Sequence, residues 1–132
     1  MGKNYSPISD EINKVSGQVV DASMAVHSAL GPGLLESAYE ACLSHELQQR
    51  GLKVERQVPV PVEYKGKKLE VGFRMDMLVE KCVIVELKAV DGVLPIHEAQ
   101  ILTYLKLTGQ RVGLLLNFNV LSMKKGVKRV AL

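Results

Sequence analysis

The run Val83-Ile84-Val85-Glu86-Leu87-Lys88 sets a carboxylate and an ammonium inside a segment of branched apolar residues. Such a segment makes a buried strand, and buried strands exclude charge unless the charge has a partner or a function. Strand side chains alternate faces, so Glu86 and Lys88 share one face while Val85 and Leu87 take the other. Asp76 lies in the preceding apolar segment, with Arg74 on its face. If the two strands form a hairpin, loop length decides whether the acids meet. A three-residue loop, Glu80-Lys81-Cys82, pairs Val79 with Val83 and stands Asp76 opposite Glu86. A two-residue loop would set Asp76 opposite Val85. The odd loop is the expectation.

Two facing carboxylates repel unless positive charge lies between them. Mg²⁺ and Mn²⁺ prefer oxygen ligands and bind one or two carboxylates together with substrate phosphate. Such an ion polarises a phosphoryl oxygen and makes water more acidic. Lys88 can then hold the attacking water or offset charge that develops on the phosphate. The competing reading is structural, with Asp76–Arg74 or Glu86–Lys88 as an ion pair. An E-x-K triplet arises by chance in about half of chains this long, so the triplet alone carries little. Three charges on one inward face of consecutive apolar strands carry more.

The elements that must position these residues follow from periodicity. From Ser9, a plausible N-cap, Ile12, Val15, Val19, Ala22, Val26 and Leu30 recur at steps of three and four, one apolar stripe of a helix that Gly31-Pro32-Gly33 stops. A second helix spans 34–50, with Leu35, Ala38, Cys42, Leu43 and Leu47 as its buried side and Gly51 as its stop. Val54, Val58, Val60 and Val62 lie among polar residues and two prolines, an edge-strand pattern. Lys65-Gly66-Lys67 reads as a turn, and 69–73, 75–79 and 83–87 as short strands. Residues 94–108 are helical, with Ala99, Leu102 and Leu105 inward; 112–118 is an apolar strand and 127–132 a final edge strand. The fold class is α/β (α+β), helices packed around one mixed sheet.

The spacing of Asp76 from Glu86-Leu87-Lys88 resembles the core motif of the PD-(D/E)xK nucleases, with Met75 where that motif has Pro. Gln100-Ile101-Leu102-Thr103-Tyr104 resembles the Q-x-x-x-Y motif of the RecB-type branch, and i,i+4 spacing puts Gln100 and Tyr104 on one helix face. Gly33-Leu34-Leu35-Glu36-Ser37-Ala38-Tyr39 resembles the motif of the GxxExxY family, assigned to the same superfamily. Flanking segments around His27, Phe73-Arg74-Met75 and Gly113-Leu114-Leu115-Leu116-Asn117-Phe118 fit in the same order. The resemblance implies a restriction-endonuclease-like core, a Mg²⁺ or Mn²⁺ site and a nucleic-acid substrate. It also makes Glu36 a third acidic ligand beside Asp76 and Glu86. Read from its position alone, a Glu in a first helical turn equally serves the helix dipole. Gln100 and Tyr104 become partners for Lys88, the metal-bound water or a phosphate, or else form a polar helix edge. Tyr39 suits a core position with its hydroxyl bonded. His27 reads first as a satisfied structural histidine and second as a residue lining the site, His97 as a weaker site candidate and His45 as solvent-facing.

The 132 residues are 47% hydrophobic with net charge +3, which suits one domain with a real core and permits nucleic acid without demanding it. Cys42 and Cys82 have no zinc-ligand spacing and read as reduced core residues of a cytoplasmic protein. Met1-Gly2-Lys3-Asn4-Tyr5 begins no secretory leader or convincing lipidation motif, and no apolar run is long enough to span a bilayer. Gly31-Pro32-Gly33 lacks the ending of a phosphate loop, so no nucleoside triphosphate is expected. Lys124, Lys125, Lys128 and Arg129 can touch phosphates or guard a sheet edge. With two Phe, four Tyr and no Trp, an extended base-stacking platform is not expected. The sequence therefore reads as a metal-dependent nuclease, possible also as a homodimer. The alternative is a non-catalytic accessory module that binds nucleic acid or protein on the same fold.

Overall fold

A computed structural model describes residues 6–132; the reading of Met1 to Tyr5 lies outside them. Helix α1 covers Asp10–Leu30, and its N-cap Ser9 accepts from the Ile12 N–H at 3.3 Å. Helix α2 covers Glu36–Gln49. Five strands form the main sheet: β1 (Val54–Pro59), β4 (Arg74–Val79), β5 (Val83–Lys88), β6 (Val112–Asn117) and β7 (Val127–Ala131), in that spatial order. Between β1 and β4 the chain makes a separate hairpin, β2 (Val62–Tyr64) with β3 (Lys67–Leu69). Helix α3, Pro95–Thr108, carries the chain from β5 to β6, the one parallel pair; the other neighbours are antiparallel.

Alternation along β5 sorts the core into two layers. Val83, Val85 and Leu87 pack with Met77 and Val79 against α1 and α2. Ile84 faces the other way, onto Ile101, Tyr104 and Leu105 of α3. Glu86 and Lys88 share the parity of Ile84 and so belong to the α3 side. The β4–β5 register pairs Val79 with Val83, as the three-residue loop requires. Together the layers make the restriction-endonuclease-like core that the resemblance implies: a mixed sheet between helices.

Several expected positions differ. Leu30 is 39% exposed, because the chain turns away at Gly31, whose φ is 70°. The buried side of α2 is Tyr39, Leu43, Ser44 and Leu47; Leu35 is 76% exposed and Cys42 is also at the surface. Tyr39 decides this rotation. Its ring stacks on Phe118 at 4.5 Å between centroids, and so large an aromatic contact outweighs burying Ala38 and Cys42. Cys82 is only partly buried, so neither cysteine is a sealed core residue. On α3 the inward residues are Ile101, Tyr104 and Leu105, while Ala99 is exposed. Residues 70–73 are not a strand, since β3 ends at Leu69 once its pairing with the three-residue β2 is used up. Lys65 and Gly66 both have positive φ, the geometry that joins twisted strands through two residues.

Candidate active site

The regular β4–β5 ladder ends at Met77 opposite Val85. Beyond it, Asp76 and Glu86 exchange bonds through their side chains. The Asp76 N–H donates to Glu86 Oε2 at 2.7 Å, and the Leu87 N–H donates to Asp76 Oδ2 at 2.8 Å. Each carboxylate thus caps a backbone donor of the opposite strand, which holds both in place. The second oxygen of each, Asp76 Oδ1 and Glu86 Oε1, has no hydrogen-bond partner among the described residues and is not sealed from solvent. The other neighbour of Asp76 is irregular too. The β1–β4 register passes from Arg56↔Met77 to Val58↔Met75, and Gln57 between them has φ 52°. Left-handed backbone at a non-glycine residue is a costly feature that clusters at functional sites. Gln57 Nε2 and Arg56 Nε donate to the two carboxylate oxygens of Glu40, at 2.9 and 3.0 Å, which ties α2 to this bend.

Electrostatics at this point favour a cation. Glu86 is 4% exposed, and its carboxyl is pushed up to about 8, first by burial and then by the charge of Asp76. The Asp76 N–H and Lys88 oppose the rise, and Glu36 adds to it. Burial also raises Asp76, with Glu40 and Glu36 adding; the Leu87 N–H and Lys88 pull the other way. Without added positive charge, Glu86 therefore holds its proton near neutral pH. Lys88 is felt by both acids but forms no ion pair with Glu86, and Arg74 forms none with Asp76, among the described residues. The backbone of Lys88 is fixed, because its carbonyl accepts from the Phe118 N–H at 2.9 Å.

The remaining sequence-chosen residues divide. Lys88, Gln100 and Tyr104 meet in the wall of one cavity of about 580 Å³, joined by His97 and Thr103. The rest of that wall is apolar: Val62, Phe73, Ile96 and Leu107. Burial first, then Glu86 and Asp76, raise the Tyr104 phenol, so it stays protonated and available as a donor. Glu36 is exposed and lines a different depression, beside Leu35 and Ala89, although its charge reaches both acids. Among the described residues, no group of three His, Cys, Asp or Glu side chains is placed to hold a metal ion. The donor set that fits a hard cation is the pair Asp76 and Glu86, through their free oxygens.

His27 is structural: its Nε2 lies 2.7 Å from the Val120 carbonyl oxygen. His97 Nδ1 accepts from the Leu94 N–H at 3.1 Å and so caps α3. Of the C-terminal cations, Lys128 meets Glu98 at 3.8 Å and Arg129 donates to Asn13 Oδ1 at 2.9 Å, so half the cluster serves tertiary contacts. Glu40 was not singled out in the sequence, and Phe73 and Asn117 entered only as parts of flanking segments, with no role at the site. Glu40 sits one turn after Glu36, a spacing that signals a shared face. Asn117 is a lone polar residue in an apolar run, and such a residue, when buried, must find partners. Phe73 was marked only as part of the segment that resembles the family, and its spacing gave no reason to expect it in a cavity wall.

No helix among the described residues is long and apolar enough to cross a membrane. Comparison with curated proteins and with solved structures gives no match. The family model of the PD-(D/E)XK nuclease superfamily matches residues 13–130, a span that takes in the facing acids, Lys88 and both helical layers. The chain belongs to the PD-(D/E)XK nuclease superfamily.

Proposed function

We propose that this protein is a metal-dependent nuclease that hydrolyses phosphodiester bonds, with Asp76 and Glu86 as ligands of Mg²⁺ or Mn²⁺ and Lys88 beside the reacting phosphate. One observation carries the reading. Two desolvated carboxylates face each other across neighbouring strands, each fixed through one oxygen with the other left open. When bound, a divalent cation supplies Lewis acidity toward a phosphoryl oxygen and water. The chain's own groups do the rest. Asp76 and Glu86 are held by opposite-strand N–H groups, so they need little reorganisation to bind. Lys88 brings a positive charge to the side where negative charge develops on the phosphate. Tyr104, kept protonated, can donate to a phosphate oxygen, and Gln100 lines the same wall. Glu36 is the candidate third carboxylate: it is exposed, free to change rotamer, and its charge already acts on both acids.

The meeting of Gln100 and Tyr104 with Lys88 in one wall also supports placing the chain in the RecB-like branch. Tyr39 supports the GxxExxY assignment: its hydroxyl donates to the Gly31 carbonyl at 2.6 Å and accepts from the Leu34 N–H at 3.1 Å, bracing the loop before Glu36. Two free cysteines are compatible with the reducing cytoplasm. The test is cleavage of labelled single-stranded and duplex DNA and RNA with Mg²⁺ or Mn²⁺, parent against Asp76→Asn. Cleavage by the parent and none by the variant is expected. Binding without cleavage under either metal would leave the non-catalytic module as the function.

A further inference from the structure

The cavity between α3 and the root of the β2–β3 hairpin is larger and more apolar than a phosphate or a cation needs. Phe73 is 49% exposed and Ile96 is 66% exposed at its wall. Large apolar side chains gathered at a surface mark a place that another molecule covers. At about 580 Å³ the cavity falls within the range of sites that enclose a small organic group. Apart from Lys88, its polar members, His97, Gln100, Thr103 and Tyr104, all come from α3 and supply an edge of donors and acceptors. Lys88 belongs to this wall and to the acid site at once, so an occupant here adjoins Asp76 and Glu86. The hairpin that rises from Val62 carries Lys65, Lys67 and Lys68, all exposed.

An apolar slot with a polar edge, an ammonium in its wall and exposed lysines on the hairpin that begins at its lining residue Val62 matches the chemistry of a nucleotide unit. The base would lie against Phe73, its edge would meet the α3 polar groups, and the phosphates would follow Lys88 and the hairpin. A base inside a duplex is stacked on both faces and must leave the stack to enter such a pocket. We propose that this cavity takes one unstacked nucleobase, so that the strand offered to Asp76 and Glu86 is single-stranded at the phosphate to be cut. The base pocket stands on the cavity itself; only its link to cutting rests on the nuclease reading above.

The test is fluorescence anisotropy with labelled single-stranded DNA, RNA of the same sequence and the matching blunt DNA duplex, with Ca²⁺ replacing Mg²⁺. The parent, Phe73→Ala and Ile96→Ala are compared; both side chains are exposed enough to remove without emptying the core. The parent is expected to bind a single strand more tightly than the duplex. Phe73→Ala should weaken single-strand binding about 5- to 100-fold, the loss that follows removal of one stacking partner, with duplex binding unchanged. Ile96→Ala should weaken it in the same sense. The DNA and RNA arms show which backbone the pocket accepts. Equal or tighter duplex binding, or unchanged single-strand binding in both variants, would overturn the pocket. A parent that binds through Phe73 yet cleaves nothing with Mg²⁺ or Mn²⁺ would overturn the nuclease reading and leave the pocket standing.

Discussion

At the scale of single residues, Glu86 is the group whose charge state governs the site. Its carboxyl is raised to about 8 in the folded chain, whereas the unfolded chain holds it in the ordinary carboxylate range. Between those values the folded state binds more protons, so stability falls as pH rises through that window. Asp76 shifts in the same direction and steepens the fall. Glu86→Gln removes one titration while keeping an oxygen for the Asp76 N–H. Thermal melts from pH 5 to 9 should show a flatter decline in this variant. Above pH 8 it should exceed the parent by on the order of 1 kcal/mol. A decline as steep as the parent's would show that Glu86 does not titrate there. For the same reason, Mn²⁺ affinity should climb with pH up to about 8, since the proton must leave before the ion binds. Lys88→Met should keep metal binding and fold but lose at least about 10²-fold in cleavage rate, measured as single-turnover kinetics. The facing of Asp76 and Glu86 was legible because charge inside an apolar run needs a reason, and because the odd loop fixes which side chains face. Glu36 was not settled by sequence: a first-turn Glu has two sufficient causes, and its exposed side chain in the fold keeps both open.

At the scale of elements, the site depends on what holds the ends of β5 and α2. Asn117, 3% exposed at the end of β6, accepts from the Val90 N–H at 3.1 Å and donates to the Val90 carbonyl at 3.0 Å. That clamps the segment leaving Lys88. Asn117→Ala leaves both Val90 groups without these partners and should cost about 1–3 kcal/mol in urea unfolding, with Lys88 less firmly placed. Tyr39→Phe gives up the two bonds that brace the loop before Glu36 and should cost about 0.5–1.5 kcal/mol by the same measurement. Wild-type stability in either variant would show that the bonds it lost do not brace the site. Helix and strand order was legible from periodicity and from Gly and Pro punctuation. The rotation of α2 was not, because it is set by Tyr39 stacking on Phe118 across the fold. The end of β3 was equally hidden, since a strand stops where its partner stops, whatever its own sequence favours.

At the scale of the whole molecule, two apolar layers grip one sheet, and the acids lie where its central β4–β5 ladder opens. The fold class was legible because alternating apolar strands among amphipathic helices have few packed solutions. The cavity of about 580 Å³ was not, because it forms between α3 and a distant hairpin that no local pattern brings together. A ligand that binds only the folded state also stabilises it, so saturating Mn²⁺ should raise the melting temperature of the parent. The most direct test of the central claim is calorimetric titration of Mn²⁺ into the parent and Asp76→Asn at pH 8, with nucleic-acid cleavage followed on the same samples. Saturable binding and cleavage in the parent, both lost in a folded variant, are expected. A parent that binds no metal, or a variant that binds and cleaves as the parent does, would contradict a cation held between Asp76 and Glu86.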